Sequence, residues 1–231
     1  MSTPPHDHFT PAVAQQYDER NRALAPIGEH MHFLVALLLD ALPSDAEILC
    51  VGVGTGAEVL SLSAAFPGWR FVGVDPSAAM LEVCRDRLAA AGVLDRCELR
   101  HGYVHEMPDA PRFDAVLSML VGHFVPTSER SDYYAALVQR ARPGGTVVNV
   151  EVSCDLDAPE LPAMLEAWAQ LQRRMGAPPE SLVDLPARMR SMLAILPHAA
   201  VEALLREAGI AMPVRFLQSF LITGWFGARG V

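Results

Sequence analysis

The sequence predicts an α/β fold in which a mostly parallel sheet carries helices on both faces. Three observations predict it. A short apolar run, Glu47 to Val53, ends in the turn Gly52-Val53-Gly54-Thr55-Gly56. Further β-type runs follow it, separated for the most part by helical stretches, as parallel strands require. Two closing β-rich runs, Val214 to Phe220 and Leu221 to Arg229, stand too close for a helical crossover, so they should pair antiparallel. The sheet then has seven strands, the last of them antiparallel.

Taken in order, Ala12 to Arg22 reads as a helix, broken around Pro26-Ile27-Gly28. A second helix, Glu29 to Leu42, spaces Met31, Leu34, Val35, Leu38 and Leu42 at helical intervals. Residues 47–53 form the first strand and 57–66 a helix. Arg70 to Val74 is the second strand, ending at Asp75, and Ser77 can cap a helix that Gly92 closes. Cys97 to Arg100, Phe113 to Met119 and Thr146 to Val152 complete the parallel set, with a helix over 128–142 before the last. Residues 155–197 are helical and Pro-punctuated with no strand-like run, and are read as a cap laid over the sheet. Residues 199–208 resume a helix that Gly209 ends. The whole chain reads as one domain, with 1–11 disordered and 12–42 forming N-terminal helices.

Half of the 231 residues are apolar, which supplies a substantial core and excludes global disorder. The net charge of -9 opposes binding to a phosphate backbone, which relies on clustered Lys and Arg. Arg173-Arg174 and Arg188/Arg190 are too short to make a basic stripe. The four cysteines lack C-x-x-C spacing, and Cys50 lies in an apolar run where a reduced, buried thiol is expected. The polar Met1 to Pro11 has no apolar signal core, and Phe33 to Leu39 is too short to span a bilayer. Together these favour a cytoplasmic location and a small-molecule partner, with no nucleic acid and no membrane; a homodimer stays open.

The chemistry concentrates at the glycine turn. Glycines let backbone approach a ligand closely, and the helix that follows offers free amides and a positive dipole end. Asp75, nineteen residues past Gly56, ends the second strand, where a carboxylate can accept ribose hydroxyls. His123 follows the fourth strand and is the best candidate general base, its ordinary pKa lying near neutrality; a packing histidine is the bland alternative. His30 and His32, two apart on a helix, point away from each other. His6 and His8 lie in the tail, and His101 and His105 lack a ligand set, so no metal is expected.

These features resemble the class I S-adenosylmethionine-dependent methyltransferases. The residues that carry the likeness are the loop 52–56, Val74-Asp75-Pro76-Ser77, the strand Phe113-Asp114-Ala115-Val116 and the turn Arg142-Pro143-Gly144-Gly145. The resemblance implies a Rossmann-like fold and S-adenosyl-L-methionine as cofactor. It places Gly52, Gly54 and Gly56 under the methionine part and Asp75, followed by Pro76, at the ribose. Tyr103 and Val104 would flank the adenine, Ser118 would lie near the sulfonium, and Tyr17 would fold over the cofactor from an N-terminal helical lid. Where Cys50 stands, that family usually has Asp or Glu.

A closer resemblance is to small bacterial methyltransferases related to carboxy-S-adenosylmethionine synthase, through Tyr17-Asp18-Glu19-Arg20, Arg190-Ser191-Met192-Leu193 and Phe216-Leu217-Gln218-Ser219-Phe220. It implies that Arg190 could grip a carboxylate on the cofactor. An arginine there could equally serve an acidic substrate or be a helix-surface charge. Methyl transfer to a small molecule, with Arg190 and His123 at the substrate, is the first reading. The alternatives are a synthase-like cofactor modification, an NAD-dependent oxidoreductase, since Gly52-x-Gly54-x-x-Ala57 satisfies the relaxed dinucleotide fingerprint, and a non-catalytic binding protein.

Overall fold

The computed structural model describes residues 10–108, 110–183 and 185–230. Helix α1 spans Pro11–Arg20, and a short 3₁₀ turn at Arg22–Leu24 leads into α2, Ala25–Leu39. Strand β1 (Glu47–Val51) precedes α3 (Ala57–Ala65), and β2 (Arg70–Asp75) precedes α4 (Ala78–Ala90). Then come β3 (Cys97–His101), β4 (Phe113–Met119), α5 (Arg130–Arg140) and β5 (Ala141–Val152). Helices α6 (Leu161–Arg174), α7 (Leu185–Met192) and α8 (His198–Glu207) lead to β6 (Val214–Ser219) and β7 (Ile222–Ala228).

The seven strands lie in the order β3-β2-β1-β4-β5-β7-β6. Strands β1 to β5 pair in parallel, whereas β7 pairs antiparallel with both β5 and β6. The chain leaves β1 toward β2 on one side and returns to β4 on the other. Strand ends therefore diverge at the β1/β4 boundary, the place where open α/β sheets leave a crevice.

Strand alternation sorts the core into two layers. Ile48, Cys50, Leu117 and Val150 face one side, with Val35 of α2, Leu62 of α3 and Cys84 of α4. Leu49, Val51, Val116 and Val147 face the other, with Leu137 of α5 and Val201 of α8. Leu161, Leu165 and Trp168 of α6 bury in the first layer.

Several boundaries depart from the sequence reading. The expected break at Pro26 is absent: α2 starts at Ala25 with Pro26 in its first turn, where a missing N–H costs no hydrogen bond. It ends at Leu39 rather than Leu42 and buries Met31, Val35 and Leu39. Disorder was expected over 1–11, yet Pro11 opens α1 and Thr10 Oγ1 accepts from the Val13 amide at 3.4 Å; residues 1–9, with His6 and His8, lie outside the described residues. Strand β5 begins at Ala141, not Thr146, because the Pro-Gly-Gly turn is absorbed into it as an irregularity between Phe113↔Ala141 and Ala115↔Thr146. The Gly144 amide, in a left-handed residue, donates to Arg229 O. Elsewhere the caps match: Ser77 Oγ accepts from the Met80 amide at 3.3 Å, and Gly92 is left-handed after α4. Among the described residues no helix is long and apolar enough to cross a membrane.

Candidate functional site

A cavity of about 1300 Å³ opens at the carboxyl ends of β1, β2 and β4. Its floor is the turn between β1 and α3, where Gly52, Gly54 and Gly56 all have positive φ. Gly52 and Gly54 line the cavity. A Cβ on Gly52 would overlap the Val121 side chain, and one on Gly54 would touch Met80 Cε at 3.4 Å. Gly56 does not line the cavity. It N-caps α3, and a Cβ there would meet Cys84 Sγ at 2.7 Å, so its role is to seat α3 on α4.

Asp75 and Pro76 line the cavity beside the glycines. One Asp75 oxygen accepts from the Gly54 amide (2.9 Å) and the other from the Ser77 amide (2.8 Å). Burial pushes its pKa up, and these two amides oppose that shift. A carboxylate has roughly four lone-pair sites, so the two backbone bonds leave acceptor capacity for ligand hydroxyls. Tyr103 and Val104 form another wall, with Tyr103 stacked on His105 at 5.4 Å. The turn that presents them is held by Glu106, whose carboxylate accepts from the Tyr103 amide at 2.7 Å.

Tyr17 of α1 lines the cavity from the N-terminal side, and burial raises its phenol to about 12, so it stays neutral. What holds α1 there is polar. Asp18 pairs with Arg87 of α4 at 2.9 Å and accepts from Thr55 Oγ1 at 2.9 Å, while Arg87 donates to Thr55 O and Oγ1. Thr55 belongs to the glycine turn itself, so the helix is clasped to the cavity floor.

Two expected site residues lie behind the cavity wall. Ser118 is fully buried and does not line it; its hydroxyl bonds Tyr133 Oη at 2.7 Å, and Tyr133 of α5 is the residue that faces the cavity. His123 is 5 % exposed and also absent from the lining. Its Nδ1 accepts from the Val152 amide at 3.2 Å, and burial beside Arg130 drives its pKa down to about 3. A neutral imidazole whose lone pair is already engaged does not serve as a general base. The backbone of His123 accepts from the Ala194 amide, so this residue ties the segment after β4 to β5 and to the chain after α7.

Arg190 does line the cavity, together with Met192 and Leu193. Its Nη2 donates to Leu156 O (2.7 Å) and to Asp157 (3.0 Å). Cys50 is wholly buried in β1 and not in the lining. The nearby buried acid is instead Glu58 in the first turn of α3, which burial raises to about 8. Sequence reading did not single out Glu58, Tyr133, or the fully buried Arg130 and Glu151; no local pattern distinguishes them, because each acquires its partner only through folding.

The donors and acceptors present suit S-adenosylmethionine. Left-handed glycines form a cradle that a Cβ would obstruct, a buried carboxylate with spare acceptor capacity stands beside them, and an aromatic wall lies beyond. The 3-2-1-4-5-7-6 sheet with β7 antiparallel is the arrangement that the resemblance to class I S-adenosylmethionine-dependent methyltransferases implied.

Sequence comparison agrees, since residues 48–145 match the methyltransferase domain family. Residues 48–145 are thus similar to a methyltransferase domain. It is 33% identical over 94 residues to protein-L-isoaspartate O-methyltransferase of Methylorubrum populi, covering 41% of this chain and 44% of that protein. Against demethylmenaquinone methyltransferase of Lactiplantibacillus plantarum the identity is 26% over 160 residues, covering 68% and 64%. The chain therefore spans between about two fifths and two thirds of the length of these relatives. An O-methyltransferase family protein of Burkholderia thailandensis has the same fold, with a TM-score of 0.65 at 14% identity over 91% of this chain and 58% of that one.

Proposed function

We propose that this protein transfers a methyl group from S-adenosylmethionine to a small-molecule acceptor. The observation that carries this reading is the size and lining of the cavity. Pockets for a single drug-sized ligand run to roughly 1,000 Å³, and this one measures about 1300 Å³. Its lining joins the glycines, Asp75 and Tyr103 to apolar side chains, Phe124, Met192 and Leu193.

Bound S-adenosylmethionine supplies a methyl group already activated by its sulfonium. The protein's own task is then to align the reacting groups and to keep water out. In this reading Gly52 and Gly54 let the backbone close on the cofactor's methionine part. Asp75 receives the ribose hydroxyls, Tyr103 and Val104 flank the adenine, and Tyr17 covers the site from α1. The antiparallel β7 between β5 and β6 argues against a nicotinamide enzyme, whose doubly wound sheet runs 3-2-1-4-5-6.

Calorimetric titration with S-adenosylhomocysteine and, separately, with NAD tests the reading. Binding of S-adenosylhomocysteine alone is expected; NAD binding without it would sink the proposal.

A further inference from the structure

This inference rests on the methyltransferase reading and concerns which acceptor the cavity recognises. The segments after β4 and at the end of α7 bring apolar residues to its lining: Leu120, Val121, Phe124, Met192 and Leu193. Tyr133 lines the same cavity, and its hydroxyl pairs with that of Ser118 at 2.7 Å. Two hydroxyls carry two protons, and one bond between them uses one. Neither makes another hydrogen bond among the described residues. Ser118 is fully buried within β4, so a Ser118 proton left over would be stranded in the sheet at the cost of an unmade bond. The arrangement without that cost has Ser118 donating to Tyr133, and the Tyr133 proton is then offered to the cavity.

Charge narrows the ligand further. Arg190 is the one guanidinium among the described lining residues, and it already donates to Leu156 O and Asp157. Glu129 and Asp132, beside Tyr133 at the start of α5, line the same cavity and repel anions.

We infer that the acceptor is an uncharged molecule with an apolar body and a hydroxyl, an alcohol or phenol, whose oxygen accepts a hydrogen bond from Tyr133. A carboxylate would have to compete with Asp157 for Arg190 and stand in the same cavity as Glu129 and Asp132, so it is disfavoured.

The test is calorimetric titration of the S-adenosylhomocysteine-saturated protein with 2-naphthol and with 2-naphthoate, which share a skeleton and differ in charge. We expect 2-naphthol to bind at least tenfold more tightly. Tyr133→Phe should weaken 2-naphthol about fivefold to tenfold, leaving S-adenosylhomocysteine affinity within twofold. Naphthoate binding as tightly as naphthol, binding of neither, or a Tyr133→Phe protein that keeps full naphthol affinity would each overturn the inference. The wild-type comparison stands even if the variant does not fold. Failure to bind S-adenosylhomocysteine in the first place would instead overturn the methyltransferase reading.

Discussion

Arg130 and Glu151 meet as a two-pronged ion pair, at 2.8 and 3.0 Å, with both side chains wholly shielded from solvent. Tyr134 Oη donates to the same carboxylate at 2.7 Å, and the guanidinium also donates to Ala194 O at 3.0 Å. One buried pair thus joins α5, β5 and the chain segment after α7 that lines the cavity. There is no room beside it: a Cβ on Gly122 would overlap Glu151 and press on Arg130 at 2.5 Å.

Removing one member strands a charge in the interior. Arg130→Met is expected to destabilise the fold by about 3–5 kcal/mol, measured by urea denaturation. The double variant Arg130→Met/Glu151→Leu should recover a good part of that loss, since neither charge then remains unpaired. Equal stability of the single and double variants would contradict the account.

The clasp over the glycine turn differs because it is half in solvent, with Asp18 and Arg87 side chains 46% and 32% exposed. Exposed pairs contribute at most about 1 kcal/mol. Asp18→Asn should therefore hardly move the melting temperature. Its effect should fall on the cofactor: α1 carries Tyr17, so affinity for S-adenosylhomocysteine should drop roughly threefold to fivefold. An unchanged dissociation constant would show that α1 does not cover the ligand.

At the cavity floor, Gly54→Ala tests the cradle. A left-handed conformation costs a residue with a Cβ roughly 1–2 kcal/mol, and the new methyl would stand among cavity-lining atoms. We expect at least a tenfold loss of S-adenosylhomocysteine affinity against a modest drop in thermal stability. Retained affinity would place the ligand elsewhere.

Glu58 and His123 set opposite pH limits. The Glu58 pKa rises from 4.5 to about 8 on folding. The folded state therefore holds a proton that the unfolded chain has lost, and stability declines between about pH 4.5 and 8 by up to 1.4 kcal/mol per unit. His123 falls from 6.5 to about 3, so the unfolded chain holds the extra proton and stability declines as pH drops through that window. Between about 4.5 and 6.5 the two slopes oppose each other. Thermal melts across pH should show a plateau there, with Glu58→Gln flattening the alkaline side and His123→Asn the acid side. An unaltered alkaline decline in Glu58→Gln would rule out that carboxyl as its source.

Much of the fold could be read along the chain because its signals are local. β4 starts and ends where its apolar run does, and Ser77 and Gly92 cap α4 by their own backbone preferences. Gly52, Gly54 and Asp75 are legible for the same reason: a tight turn and a strand end lie within one short stretch of sequence. His123 misled because its position after β4 is local information, whereas its burial against Val152 and Arg130 is not.

By itself, then, the sequence determined the strand order's raw material, the glycine cradle and the acid beside it, since turns, caps and alternation depend on neighbours a few residues apart. Only the tertiary structure decided that Tyr133 rather than Ser118 faces the cavity, that Arg190 is already engaged by Asp157, and that Asp18 meets Arg87. Those outcomes depend on which helix crosses which strand, and on which side chains lose their water when it does. No local pattern carries that information.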